Sequence, residues 1–354
     1  MLADAAVPQE LMFKILLHRG LTRRQIAQAM DVSMPAVTRH VKWLLEQQLV
    51  DSSHVRIPNV KRPVEVLQSR GEAGYGLAVL LRPHRLEAQV IDSAGAGVAH
   101  RDFGLHRPDQ AHAMAALREA CEWYRQNVPD CGPLETVGAS IAGYLEPSSG
   151  MVFAVHGFAD WRPCLPAQVV EGMGRTFVPW TRVASLVHGL AARRGIDDRI
   201  GFIDFSQGQL SVASMSHGRT AFGRFGTAST AAHRTVSDAA RRCYCGRTGC
   251  LADHLDHGDA TPGMVRAAIP HLVAAMDVSI LGLDVQGCGD TIEALADGPT
   301  RLVAIDDPDP LAWEGLRIAT ARLICRRLVN RLRPAAPAPF LDPQALKVSA
   351  VATA

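Results

Sequence analysis

Three cysteines within eight residues constrain this chain more than any other feature. Cys243, Cys245 and Cys250 are separated by Gly246 and Gly249, and His233 lies ten residues upstream. In an extended segment the i, i+2 pair Cys243 and Cys245 points the same way. The two glycines permit the tight turn that returns Cys250 to them. Three thiolates and one imidazole form a closed tetrahedral donor set. Such a set suits a structural zinc ion, because a catalytic site keeps one position open. The plain alternative is three reduced core thiols beside a surface histidine, and this spacing disfavours it in a chain with eight cysteines among 354 residues. Cys121, Cys131, Cys164, Cys288 and Cys325 lack any such spacing and read as buried or free thiols.

The rest of the composition bounds the fold class. Hydrophobic residues at 47% and charged residues at 20% describe a globular chain, long enough for about two or three domains, and exclude global disorder. Eight cysteines are too few for a disulfide scaffold. No apolar run reaches about 18 residues, so no membrane span is expected. Asp4, Glu10 and Lys14 interrupt any signal-peptide pattern, and a cytoplasmic location is expected. The net charge of +2 excludes a uniformly basic coat. It is unevenly spread: residues 1–62 hold nine Lys/Arg against five Asp/Glu. A small basic head on a near-neutral body suggests a polyanion-binding unit.

Within that head, residues 8–50 read as three short helices. Leu11, Ile15 and Leu16 share a face of the first, which ends at Gly20. Thr22 caps the second, and Gln25 completes a capping box. After the turn Asp31-Val32, Ser33 caps the third, whose buried stripe is Val37, Val41, Leu44 and Leu45. Two β-prone pieces, Ser53–Ile57 and Val64–Gln68, flank Lys61-Arg62-Pro63 like a wing. This is the order of a winged helix-turn-helix. On the third helix Pro35, Thr38, Arg39 and Lys42 face outward. Arg39 suits a guanine edge or a phosphate, Thr38 a thymine methyl or a phosphate, and Lys42 a phosphate. The helix start at Ser33 offers N–H groups to a phosphate, and Lys61 and Arg62 are the wing's cations. A three-helix bundle with a merely solvated charged face is the alternative. Double-stranded DNA is the expected partner.

After Ser69–Gly74 the texture turns to α/β. Strands are predicted at Tyr75–Leu81, Leu86–Ile91, Thr136–Ala142, Ile200–Phe205 and Leu210–Ser214. Helices are predicted at Gln110–Asn127, Gln168–Gly174, Val183–Arg193, Pro262–Met276 and Leu311–Leu332. A strand–strand–strand–helix pattern recurs near 75 and near 200, which suggests two similar lobes.

With His233 and Cys243-Tyr-Cys245-Gly-Arg-Thr-Gly-Cys250 in this order, and Trp161 in Phe158-Ala-Asp-Trp161, the chain resembles the ROK family of sugar kinases and sugar-responsive repressors. The resemblance spans about residues 10–333. It implies an N-terminal winged helix-turn-helix followed by an actin-like (RNase H-like) two-lobed ATPase fold, an α/β class. The implied division is 1–70 for the DNA-binding domain, 75–178 completed by 306–333 for the first lobe, and 179–305 for the second lobe with the zinc site. Residues 334–354 are a Pro/Ala-rich tail expected to be disordered. The zinc ligands it implies are His233, Cys243, Cys245 and Cys250.

The departures from the family pattern are informative. Its first phosphate loop, Asp-x-Gly-Gly-Thr, is replaced by Arg82-Pro83-His84-Arg85. Its second glycine-rich loop is matched by Ser206-Gln-Gly208, with one glycine left. Its Asn-Asp pair, which supplies a sugar contact and the catalytic base, becomes Thr181-Arg182. Its sugar-binding Glu-x-Gly-His becomes Thr230-Ala-Ala232-His233, the Glu after the last zinc Cys-Leu becomes Ala252, and its Pro-Gly becomes Ala142-Gly143. A kinase needs a base at the accepting hydroxyl and groups that hold the phosphates. The expectation is therefore a non-enzymatic transcriptional regulator, in its repressor form, with a structural zinc and a degenerate kinase-like body. A sugar ligand is not expected. Self-association as a homodimer or homotetramer is expected, with Leu311–Leu332 a candidate contact or else an internal stripe. The alternatives are a residual sugar kinase, or a regulator that senses a protein partner or a non-sugar effector. An anion could meet Arg82, His84, Arg85 and Arg182 in the old cleft.

Overall fold

The computed structural model describes residues 6–56, 62–127, 131–146, 149–171, 176–204, 210–221, 233, 235–238, 241–243, 246–256, 259–284 and 300–332. The head comprises α1 (Ala6–Leu17), α2 (Arg23–Met30), α3 (Met34–Glu46), β1 (Val50–Val55) and β2 (Val64–Ser69). Thr22 caps α2 with the reciprocal Gln25 contact that the sequence predicted, and Asp31 closes the helix in the left-handed region. β1 and β2 pair antiparallel from Val50↔Ser69 to Val55↔Val64. An isolated bridge, Leu21↔Leu67, ties this ribbon back to the segment before α2.

The body repeats one design twice. The first sheet is built from β3 (Tyr75–Arg82), β4 (Arg85–Asp92), β5 (Gly97–Gly104), β6 (Leu134–Ile141) and β9 (Thr176–Thr181), in the order β5-β4-β3-β6-β9. The second uses β10 (Ile200–Asp204), β11 (Ser211–Ser216), β12 (Arg219–Ala221), β13 (Ile280–Asp284) and β14 (Arg301–Ile305), in the order β12-β11-β10-β13-β14. In each, three consecutive antiparallel strands are followed by two parallel ones. A small hairpin, β7 (Gly143–Glu146) with β8 (Met151–Val155), stands apart from both sheets. The short α5 (Ala167–Glu171) precedes β9.

Both sheets are covered on both faces, which is why their central strands read as continuous apolar runs. Along β3, Leu77 and Val79 pack toward α4 (Gln110–Asn127), while Ala78 and Leu80 pack toward α9 (Pro308–Leu332). Along β10, Ile203 packs toward α7 (Leu251–Asp256) and α8 (Pro262–Met276), while Ile200 and Phe202 pack toward α6 (Arg182–Arg194). Strands β5 and β9, the hairpin β7–β8, and β12, β13 and β14 escaped sequence reading. Most of β5 is exposed and polar, and β9 carries Pro179, which only an edge accommodates. Because β9 runs to Thr181, the first sheet continues past residue 179.

Where the lobes meet, α6 crosses α9. A side chain on Gly315 would run into the Ser185 carbonyl, so this crossing needs a glycine. The apolar stripe of α9, including Leu316, Ile324 and Leu328, is buried within the subunit. It is an internal stripe and not the contact between copies that the sequence allowed. The first helix also departs from expectation. Leu11, Ile15 and Leu16 were placed on one buried face, but Met12, Phe13 and Leu17 are buried too. A helix apolar all round lies between other elements, and α1 is wedged between the head and both lobes. Among the described residues no helix is long and apolar enough to cross a membrane.

Candidate functional site

Three sets of residues carry chemistry: the outer face of α3, the cysteine loop, and the charges between the lobes.

On α3, Val37, Val41 and Leu44 are buried and Pro35, Thr38, Arg39 and Lys42 are exposed on the opposite side, as the periodicity predicted; His40 is buried as well, and Leu45 only half-buried. Lys42 lies 3.8 Å from Glu46, a loose surface pair of little energetic weight. Ser33 holds the N-cap backbone geometry, but its hydroxyl makes no bond to the helix. The expected side-chain cap is thus absent. Pro35 in the first turn lacks an N–H, which reduces what a cap could satisfy. The ribbon is fixed to α2 by Arg23, whose Nε lies 2.8 Å from Glu65, and Ser52 donates to the same carboxylate at 2.9 Å. These bonds, Arg23 first, hold Glu65 below its ordinary carboxylate range. Arg62 is exposed near the ribbon's tip, and Lys61 lies outside the described residues.

The cysteine loop folds as its glycines require. The Cys243 N–H donates to Arg247 at 2.8 Å, and the Gly246 N–H donates to Cys243 at 2.8 Å. Cys250 bridges Thr235, and α7 begins immediately after it. Gly249 has φ of 65°, and any side chain there would strike the Ser237 carbonyl. The ligand atoms of His233, Cys243 and Cys250 all lie within 4.8 Å of one another. His233 Nδ1 is 3.4 Å from Cys243 Sγ. Two donors at ordinary zinc bond lengths on a tetrahedron stand about 3.5 Å apart, so the described donors fit the metal. Cys245 lies outside the described residues. Beside the loop, His254 is held between Ser237 at 2.7 Å and Asp259 at 2.8 Å, and Arg241 pairs with Asp253 and Asp259. Cys121 and Cys325 are buried thiols pushed up to about 12 by desolvation, while Cys131 is buried and Cys164 partly so. Cys288 lies outside the described residues.

Between the lobes, cations and carboxylates alternate in a chain. Glu87 on β4 accepts from Arg82 at 2.6 Å, from Arg85 at 2.7 Å and from Trp313 at 3.0 Å. Arg82 reaches on to Asp309 at 2.8 Å. The other oxygen of Asp309 accepts from Arg182 at 2.8 Å, and Arg182 continues to Asp204 at 3.2 Å. The Arg182 side chain is only 7% exposed and that of Asp204 only 4%. Burial works against the charge on Arg182, but Asp204 and Asp309 outweigh it and raise its pKa. Asp309 is held below its ordinary range, because Arg182 and Arg82 overcome the effect of burial. Glu87 is likewise held low, with Arg85 and Arg82 overcoming burial. The arginines that might have met an anionic ligand are therefore engaged with the protein's own carboxylates. His84 is exposed on the turn.

The positions at which the sequence departs from the family pattern are built into the fold. Thr181 caps α6, accepting from the Ala184 N–H at 3.2 Å, and Arg182 is the first residue of that helix. Ala252 is packed in the apolar core of the second lobe. Trp161 donates to the Val152 carbonyl at 3.3 Å and stacks edge-on against Phe158. Ser206 to Gly208 and Thr230 to Ala232 lie outside the described residues. Sequence reasoning found the arginines of the cleft but missed Glu87, Asp204 and Asp309. Asp309 had one available signal, an acidic first turn on a helix that Asp307 caps.

No family model matches the sequence. A curated relative, the uncharacterized protein y4fQ of Sinorhizobium fredii, is 26% identical over 211 residues, which is 56% of this chain; the chain spans about half the length of that relative, 51%. Among solved structures, a ROK family transcriptional regulator, a homolog of the E. coli MLC protein, superposes with a TM-score of 0.69 at 14% identity. That match covers 93% of this chain and 99% of the regulator. A ROK family glucokinase from Streptomyces griseus, solved with glucose and AMPPNP, matches with a TM-score of 0.53 at 16% identity over 70% of this chain and 99% of the kinase. A ROK hexokinase from Thermus thermophilus matches with a TM-score of 0.55 at 15% identity over 70% of this chain and 97% of its own. The chain therefore has the α/β, two-lobed actin-like fold shared by ROK-family regulators and sugar kinases.

Proposed function

We propose that this chain is a sequence-specific DNA-binding transcriptional regulator, in the form of a repressor, whose kinase-like body is catalytically silent. The observation that carries the reading is Arg182. A sugar kinase needs a carboxylate base at the start of this helix, and here a buried guanidinium is neutralised by Asp204 and Asp309. A cation cannot accept the hydroxyl proton, and the neighbouring turn Arg82–Arg85 has no glycine through which backbone N–H groups could approach a phosphate.

The head supplies the activity. α3 enters the major groove with Thr38 and Arg39 toward base edges and Lys42 toward phosphate, while its N-terminal turn at Ser33 and Pro35 approaches the backbone. Lys61 and Arg62 follow the backbone from the ribbon. The division into a head (1–70), a first lobe that β9 extends to Thr181 and that 306–333 completes, and a second lobe from Arg182 to 305 serves this arrangement. In the second lobe His233, Cys243, Cys245 and Cys250 hold a structural zinc ion, which fastens the loop before α7. One α3 reads only a few base pairs, so two or four copies act together on paired half-sites in the cytoplasm.

Selection of bound DNA from a random pool, followed by gel shifts, tests the reading. Arg39→Ala should weaken binding to the selected site by roughly 1–3 kcal/mol and relax one position. Lys42→Ala should weaken binding to all sequences and flatten the salt dependence. Both variants binding as wild type would remove α3 from the interface.

A further inference from the structure

DNA reading by α3 requires that the head be aimed, and α1 is the element that aims it. By sequence α1 belongs to the head, and Leu11, Met12 and Ile15 complete the head's core together with Ile324 and Leu328 of α9. Its other residues belong elsewhere. Phe13 and Leu17 enter the core of the second lobe beside Leu186 and Phe202. Leu16 enters the seam against the first sheet beside Leu80 and Ile318. One helix of three turns thus has a side in each of three cores.

Polar contacts fix its angle. Lys14, buried, pairs with Asp197 in the segment between α6 and β10. The Arg322 guanidinium lies 3.7 Å from the centroid of the Phe13 ring and donates to the Gly218 carbonyl in the turn between β11 and β12. Its Nη2 is also 3.7 Å from Glu10. The same cation therefore ties α9, α1 and the second lobe together. At the far end of α1, Arg19 and Arg193 converge on Glu314 of α9, at 3.0 and 2.7 Å. A head tethered by a linker would show none of these contacts.

We infer that α1 is a rigid strut that fixes the reading face of α3 relative to both lobes, with Phe13 and Arg322 as positioning residues that set which spacing of half-sites the assembled regulator accepts. The inference rests on the DNA-binding reading above. Its physical basis is helical phase. Moving one half-site by one base pair turns it by about 35° around the duplex and shifts it by about 3.4 Å. A head on a flexible tether follows such a shift, and a head clamped in three cores does not.

The test uses the full-length protein and a pool in which the selected half-site is held constant and its spacing varied one base pair at a time. Wild type should favour one spacing and bind its neighbours about tenfold less well, comparable to a mismatched base pair. Phe13→Ala should level neighbouring spacings to within about threefold, while preference for the half-site sequence stays intact. Arg39→Ala should do the reverse, relaxing one position of the half-site while the remaining positions keep the spacing preference. A strut residue with only a stabilising role would lower the active fraction and leave the spacing profile unchanged. Should Phe13→Ala fail to fold, Arg322→Met decides, since it removes the ring contact and the Gly218 bond while leaving the apolar seams. An unchanged spacing profile in the folded variant, or a wild type indifferent to spacing, would overturn the strut and leave the DNA-binding reading standing. A wild type that selects no sequence would overturn both.

Discussion

The cysteine loop and the interlobe cleft both gather groups that can carry chemistry, and this chain treats them in opposite ways. In the loop, residues far apart in kind from their neighbours converge: His233, Cys243 and Cys250 bring their donor atoms within 4.8 Å. Glycine stands where a side chain would block the turn, at Gly249. In the cleft, cations and carboxylates pair with one another inside the protein. Arg182 and Arg82 bind Asp309, Asp204 and Glu87. The contrast shows that one fold holds a site that converges donors for a metal and another whose charges are satisfied within the protein. Breaking a buried ion pair such as Arg182–Asp204 costs several kcal/mol, which holds the pairing in place.

The comparison breaks most readily at the loop. Cys250→Ala or Cys243→Ala should lose the bound zinc and lower the melting temperature of the second lobe by about 10 °C or more, because metal binding is folding free energy in such a site. Elemental analysis of the purified proteins beside calorimetry checks this, and native protein without about one zinc per chain would contradict it.

The cleft should respond next. Arg182→Ala removes the buried cation that joins Asp204 to Asp309 and should cost about 3–5 kcal/mol in denaturant melts. A cost below about 1 kcal/mol would show that the charges are solvated and the cleft open.

A smaller effect sharpens the same point through pH. Asp309 and Glu87 are held below their ordinary values of 3.8 and 4.5. Their contribution to stability is present above those values and drains away as the pH falls through them toward the depressed folded values. Asp309→Asn should flatten the fall of stability in that window. Melts at stepped pH on both proteins provide the check, and parallel curves would contradict the network.

How far the sequence reached can be followed along the same contrast. The loop was legible because its ligand types, spacing and glycines lie within a few residues of one another. The faces of α3 were legible from helical periodicity, and both lobes from the repeated strand pattern. The cleft was half legible. Arg82, Arg85 and Arg182 stand out against the family pattern, but their partners lie 2 to 227 residues away in the chain, and the long-range pairs with Asp309 leave no local signal. Strands β5 and β9 were hidden for the reason that edges usually are: one is largely solvated and the other carries a proline. The placement of α1 was hidden because its burial on every side depends on two lobes assembled from residues beyond 75. Its near-continuous apolar run from Leu11 to Leu17 was the signal available.

On the proposed function, the fold persists here as a scaffold for DNA reading and no longer as a phosphoryl-transfer enzyme. The most direct test of that reading is ATP consumption by zinc-loaded, full-length protein that has been shown to shift its selected DNA site, with glucose, N-acetylglucosamine and xylose each offered at millimolar concentration. The account predicts no sugar-dependent turnover above background for any of them, because Arg182 occupies the place of the base. Sugar-dependent ATP consumption by that preparation would contradict it.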